Sequence, residues 1–143
     1  MIDAEAIRCA RGETPADLLL KGGRIVDVFS GEIVTGDVAV KNGTIVGIGP
    51  YRARQTVDLD GRIVTPGFID AHVHIESAMT GITGFARAVA AHGTTTVIAD
   101  PHEIANVLGV EGIRYMLAAS KGQPVNVFFM LPSCVPATDM ETA

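Results

Sequence analysis

Several protein classes are marked by chemistry this sequence has little of. Its 143 residues include no tryptophan, two tyrosines and two cysteines. A secreted disulfide scaffold carries more cysteine, and Cys9 and Cys134 lack the C-x-x-C spacing of a zinc or redox site. Free thiols in a reducing cytosol are therefore expected. No local base supports Cys134 as a nucleophile. Basic charge is also scarce: eleven Lys and Arg against sixteen Asp and Glu leave a formal charge of -5. Nucleic-acid binders show a basic stripe, whereas Arg52 and Arg54 stand as two solvated charges in a loop. No apolar run is long enough for a membrane span. Residues 1–12 mix acids and arginines without an apolar core, so no signal peptide is expected. These absences predict a cytoplasmic protein with neither nucleic acid nor membrane as partner. With 48% hydrophobic residues, the chain has enough apolar side chain for a core, which excludes global disorder.

What is present divides into two regimes. Residues 1–16 are polar and read as a short helix or a loose lead-in. Residues 17–65 carry short apolar runs punctuated by glycine: Leu18–Leu20, Arg24–Val28, Asp37–Lys41, Thr44–Gly49, Thr56–Leu59 and Arg62–Val64. Turns are expected at Lys21-Gly22-Gly23, Ser30-Gly31-Glu32, Asn42-Gly43 and Asp60-Gly61. Asn-Gly between alternating apolar runs is a strong hairpin signal, because both residues tolerate positive φ. This region is expected to form a small all-β module of antiparallel strands, part of a β-sandwich.

The pattern changes at Pro66-Gly67. Phe68–His74, Thr94–Ala99 and Val125–Leu131 are near-continuous apolar strands. Between them lie a helix over Gly84–His92, stopped by Gly93, and one or two helices over Ile104–Leu108 and Val110–Ser120. The first helix is expected to carry Phe85, Ala88, Val89 and His92 on one face, and the spacing of Val110, Ile113 and Leu117 suits an amphipathic face on the last. Apolar strands alternating with helices predict an α/β region with parallel strands and crossover helices. A (β/α)8 barrel takes about 250 residues, so residues 66–143 have room for about three of its βα units, the start of a truncated barrel.

Chemistry concentrates at the strand ends. On a strand, residues i and i+2 project the same way, so His72 and His74 offer two imidazoles on one face, with Asp70 two residues earlier. Imidazole suits zinc, iron, manganese or nickel, and His72 and His74 are the candidate metal ligands. Glu76 and Ser77 follow; Glu76 either orients a ligand, contacts substrate, or caps the next helix. Asp100-Pro101-His102-Glu103 ends the next strand at the same mouth, although Asp100 also reads as a helix N-cap with Glu103 in the first turn. Ser133 occupies the third strand-end loop as a candidate substrate contact, and His92 reads as a structural residue at a helix end.

A β module followed by Pro66-Gly67-Phe68-Ile69-Asp70-Ala71-His72-Val73-His74 resembles the amidohydrolase superfamily. The runs His74-Ile75-Glu76-Ser77, Ala99 to Val107 and Met130 to Pro136 resemble its bacterial adenine deaminases, with Ala78 where a second serine is usual. The resemblance implies hydrolysis of adenine to hypoxanthine and ammonia, in purine salvage, at a site holding two divalent metals, manganese or iron, with zinc an alternative. It implies His72 and His74 as ligands of one metal, Glu103 and His102 as proton carriers with Asp100 holding either, and Glu76, Ser77 and Ser133 near substrate. Further ligands would lie beyond Ala143, so the 143-residue chain by itself is expected to be inactive. Rival readings are another amidohydrolase acting on a cyclic amide or other heterocycle, or a non-catalytic structural fragment. An unclosed sheet leaves a pairing edge, which predicts a homo-oligomer.

Overall fold

The β-rich half forms one sheet built around a single long strand. A computed structural model describes residues 3–132, and the chain divides into two compact units at Pro66/Gly67. In the first unit, helix α1 (Ala4–Ala10) is capped by Asp3, whose carboxylate accepts the Glu5 N–H. Strand β1 (Ala16–Asp27) then lies between β2 (Glu32–Lys41) on one side and β4 (Ala53–Asp58) and β5 (Ile63–Val64) on the other, while β3 (Thr44–Ile48) borders β2. The Asn42-Gly43 hairpin forms as expected, with φ of 49° and 72°. Cys9, Ala16, Leu19 and Ala39 make its small core, and Cys9 is a buried free thiol.

Three expectations for this unit are corrected. Lys21-Gly22-Gly23 is not a turn: β1 runs through it on a bulge between Leu20 and Gly23. Gly22 takes φ 68°, and its N–H donates to Asp37 Oδ1 at 2.8 Å, so the glycine serves a bulge within a continuous strand. A side chain at Gly23 would meet Leu59 and Val64. The runs around Asp60-Gly61 do not pair with each other, because both β4 and β5 pair parallel to β1. Backbone bonds from Leu59 to Lys21, Gly61 to Gly22 and Arg24 to Arg62 hold the intervening segment along β1. Finally, the described residues form one mixed sheet here, not two packed layers; Ile45 and Ile48 remain 67% and 54% exposed.

One charged side chain is buried in this unit. Lys41 is 4% exposed, with its ammonium 3.0 Å from Asp17 and 3.9 Å from Glu5. The Asn42 backbone N–H, and then Lys41, hold the Asp17 carboxyl below its ordinary value of 3.8. A carboxyl depressed on folding contributes stability above its unfolded value and loses it as acid titrates the folded form. Asp17→Asn should therefore melt lower than the unaltered chain above pH about 4, with the gap closing as pH falls further. Thermal melts from neutral to strongly acidic pH measure this, and a gap independent of pH would contradict it.

The second unit is a parallel sheet in the order β6 (Phe68–Val73), β7 (Thr94–Ala99), β8 (Asn126–Phe129), joined by α2 (Ile82–Ala90) and α3 (His102–Ala119). This is the expected β-α-β-α-β order. Ile75, Ile82, Phe85, Val97, Ala99 and Met116 are its buried core. Helix α2 starts two residues earlier than expected and buries Ile82, Phe85 and Ala86; Ala88 and His92 are exposed. His92 lies beyond the helix, where its N–H donates to Val89 O.

Helix α3 is two helical pieces meeting at Gly109, whose φ of 59° and ψ of -144° suit glycine alone. Ala105, Gly112 and Met116 face inward, while Val110 and Leu117 are exposed, against expectation. Gly112 lies so close to the Ile104 carbonyl that an added Cβ would sit 2.7 Å from it.

Candidate metal centre

Parallel strands place their carboxyl ends on one side of the sheet, and the polar residues gather there. The β6–β7 register slips between Asp70 and Val73, a bulge that re-aims the end of β6. Beyond it, Val73 O accepts the Asp100 N–H at 2.9 Å. Asp100 O in turn lies 3.0 Å from His74 Nδ1. A carbonyl can only accept, so Nδ1 carries the proton and the Nε2 lone pair of His74 is left for another partner.

That lone pair points at His72. The two Nε2 atoms are 3.2 Å apart. Zinc–nitrogen bonds of about 2.0–2.1 Å at tetrahedral angles separate two ligand nitrogens by about 3.3 Å. The pair thus has the separation of two ligands on one cation. Asp70 is not part of the group: its carboxylate folds back to accept the His72 N–H at 3.1 Å.

Asp100, His102 and Glu103 complete the cluster. His72, His74 and Asp100 can bring ligand atoms within 4.8 Å of one another, and so can His74, His102 and Glu103. The His74 and His102 rings meet edge to face at 4.6 Å. His102 Nδ1 is 3.9 Å from Asp100 Oδ2, within ion-pair range but beyond hydrogen-bond reach, so His102 Nδ1 and Asp100 Oδ1 are buried and unsatisfied.

The turn after β6 reaches across to α3. Ser77 Oγ donates to Glu103 Oε1 at 2.6 Å, and Glu76 Oε1 accepts the Ile104 N–H at 3.3 Å. Asp100 is not the N-cap. Pro101 occupies that position and has no capping side chain, so Glu76 supplies the carboxylate from outside the helix. The cap on α3, rather than on the helix next in sequence, is a long-range contact that no local pattern announces. The tautomer lock on His74 is equally invisible, because it is a main-chain carbonyl. Ser133 and Cys134 lie outside the described residues.

The electrostatics call for a cation. Among the described residues, no Lys or Arg pairs with Glu76, Asp100 or Glu103. Glu76 Oε2 and Asp100 Oδ1 are buried oxygens with no hydrogen-bond partner. A buried carboxylate oxygen left without a donor or a positive charge is costly. Imidazole and carboxylate together form a donor set that fits a divalent metal of the zinc, manganese or iron kind.

Comparison with known proteins shows the family and the fold. Over all 143 residues the chain is 59% identical to an adenine deaminase of Desulfatibacillum aliphaticivorans, and over 139 residues it is 57% identical to adenine deaminase 2 of Carboxydothermus hydrogenoformans. It spans about a quarter of these curated relatives' length, 25% and 24%. The fold matches N-acyl-D-glutamate deacylase from Bordetella bronchiseptica with a TM-score of 0.66 at 24% identity, over 85% of this chain and 30% of that one. It also matches L-hydantoinase from Arthrobacter aurescens, with a TM-score of 0.59 at 24% identity, over 80% of this chain and 27% of that one. A sequence model of the amidohydrolase family covers residues 63–143, more than half of the chain, and the chain belongs to that family.

Proposed function

We propose that the protein of which this chain forms part hydrolyses adenine to hypoxanthine and ammonia, in purine salvage. The observation that carries the hydrolytic reading is the convergence of His72 and His74 Nε2 at 3.2 Å, with the tautomer of His74 set by the Asp100 carbonyl. The relatives' name, adenine deaminase, supports the choice of substrate.

His72 and His74 would hold one of two divalent cations, manganese or iron, with further ligands of the two-metal site outside this chain. Such a cation lowers the pKa of water toward neutrality and so supplies hydroxide at pH 7. Glu103, whose carboxylate accepts from Ser77, would carry a proton to the ring nitrogen and the leaving ammonia. His102, against the His74 ring and near Asp100, is the second proton carrier. Glu76 keeps one oxygen without a partner and is the substrate contact of the β6 turn, while Ser77 acts through Glu103. Ser133 is a proposed substrate contact.

Ammonia release measures this directly. A protein of the relatives' full length that includes this segment should turn over adenine and leave hydantoin and dihydroorotate untouched. The 143-residue chain by itself should show no turnover of adenine. Hydrolysis of a cyclic amide with no ammonia from adenine would refute the proposal.

A further inference from the structure

We infer that the Asp100 carboxylate is a third ligand to the cation of His72 and His74, so that this chain binds one divalent ion with its own residues. The inference rests on the metal reading above and goes beyond it. The sequence pairs only His72 and His74, and two ligands on one strand hold an ion weakly, since catalytic zinc sites use three protein ligands.

The geometry supplies the third. Asp100 stands at the end of β7, tied to the end of β6 by its N–H to Val73 O and by its carbonyl facing His74 Nδ1. Its main chain therefore fixes both the position and the tautomer of His74. Its side chain is 16% exposed, with Oδ1 buried and without a partner. The ligand atoms of His72, His74 and Asp100 can all lie within 4.8 Å of one another. The His102 ring approaches the carboxylate at 3.9 Å, outside hydrogen-bond reach. A buried carboxylate oxygen beside the His74 Nε2 lone pair and the converging His72 Nε2 is stabilised by a cation among the three.

His74 has only one free nitrogen, so it cannot serve two ions. The alternative group, His74, His102 and Glu103, competes for that nitrogen. Glu103 is already engaged by Ser77 at 2.6 Å, and His102 approaches His74 through an edge-to-face ring contact. The geometry therefore favours Asp100 as the ligand.

The main-chain role of Asp100 survives side-chain substitution, which makes the carboxylate separately testable. The metal-free 143-residue chain is titrated with Co(II), following visible absorption and bound metal after equilibrium dialysis. One equivalent should bind. Asp100→Ala should weaken binding by at least about 10-fold, since loss of even an outer partner of a ligand typically costs that much. Asp100→Asn, which keeps the shape and loses the charge, should also weaken it. His102→Ala should leave one equivalent bound with the same spectrum. Metal-free melts of the variants check folding.

If the chain binds no Co(II), or if Asp100→Ala and Asp100→Asn bind as the unaltered chain does, Asp100 is not a ligand. Loss on His102→Ala instead would place the ion in the other group and also overturn the inference. Unchanged binding in the two Asp100 variants would leave His72 and His74 as the ligands, whereas loss on His102→Ala would keep only His74 of that pair. Binding unchanged in both His72→Ala and His74→Ala would instead overturn the metal reading itself.

Discussion

His74→Ala is expected to lower kcat/KM for adenine by roughly 10³-fold or more, about 4 kcal/mol of transition-state stabilisation. The size follows from the number of jobs that one ring performs. Its Nε2 meets His72 Nε2 at 3.2 Å, its Nδ1 faces the Asp100 carbonyl at 3.0 Å, and its ring packs edge to face with His102. It is also the residue common to both groups able to hold a metal. Alanine removes a ligand and leaves the Asp100 carbonyl without its donor. The loss should appear in kcat together with a lower metal content, because the effect is on hydroxide supply rather than on substrate contact. His92→Ala, at an exposed position beyond α2, should change neither by more than about twofold. Steady-state kinetics and metal analysis on the full-length protein are the measurements. Turnover within tenfold of normal in His74→Ala would mean that the cation, if bound, is not held where the imidazoles converge.

How much of this was legible in the sequence depended on how local each signal was. The Asn42-Gly43 turn needs only two residues that accept positive φ, and it formed as read. The His72 and His74 pair was equally legible, because strand alternation puts i and i+2 on one face, and the bulge in the β6–β7 register does not undo their convergence. Gly22-Gly23 misled because the same residues that make a turn also make a bulge. The choice was settled by Asp37, fifteen residues away, accepting the Gly22 N–H. Val110, Ile113 and Leu117 have helical spacing, yet a period gives no absolute phase. The face that packs inward carries Ala105, Gly112 and Met116 instead. In the site, Asp100 and Glu103 were visible as residue types. The Glu76 bond to the Ile104 N–H was not, since it depends on a helix that begins at a proline unable to cap itself.

Those site residues are held by the core beneath them, and Ile75 is the test of that link. Ile75 lies between His74 and Glu76, is 1% exposed and belongs to the buried cluster with Phe85, Val97 and Met116. Its neighbours in sequence turn toward the metal-competent group while it turns into the core. Ile75→Ala removes three buried carbons from a packed site and should cost about 3 kcal/mol, within the usual 2–5 kcal/mol for such a truncation. A domain of this size has a net stability of only several kcal/mol, so the change consumes much of the margin. Ile75→Val should cost about 1 kcal/mol, and Ile69→Ala, at a position 65% exposed, about 0.5 kcal/mol or less. Urea unfolding gives the stabilities, and amide exchange at Val97 and Ala99 reports whether the loss reaches β7. The two readouts should move together, because Ile75, Val97 and Ala99 share one cluster. A cost below about 1 kcal/mol for Ile75→Ala, with β7 amides still protected, would show that His74 and Glu76 are positioned by their hydrogen bonds alone and not by the side chain packed between them.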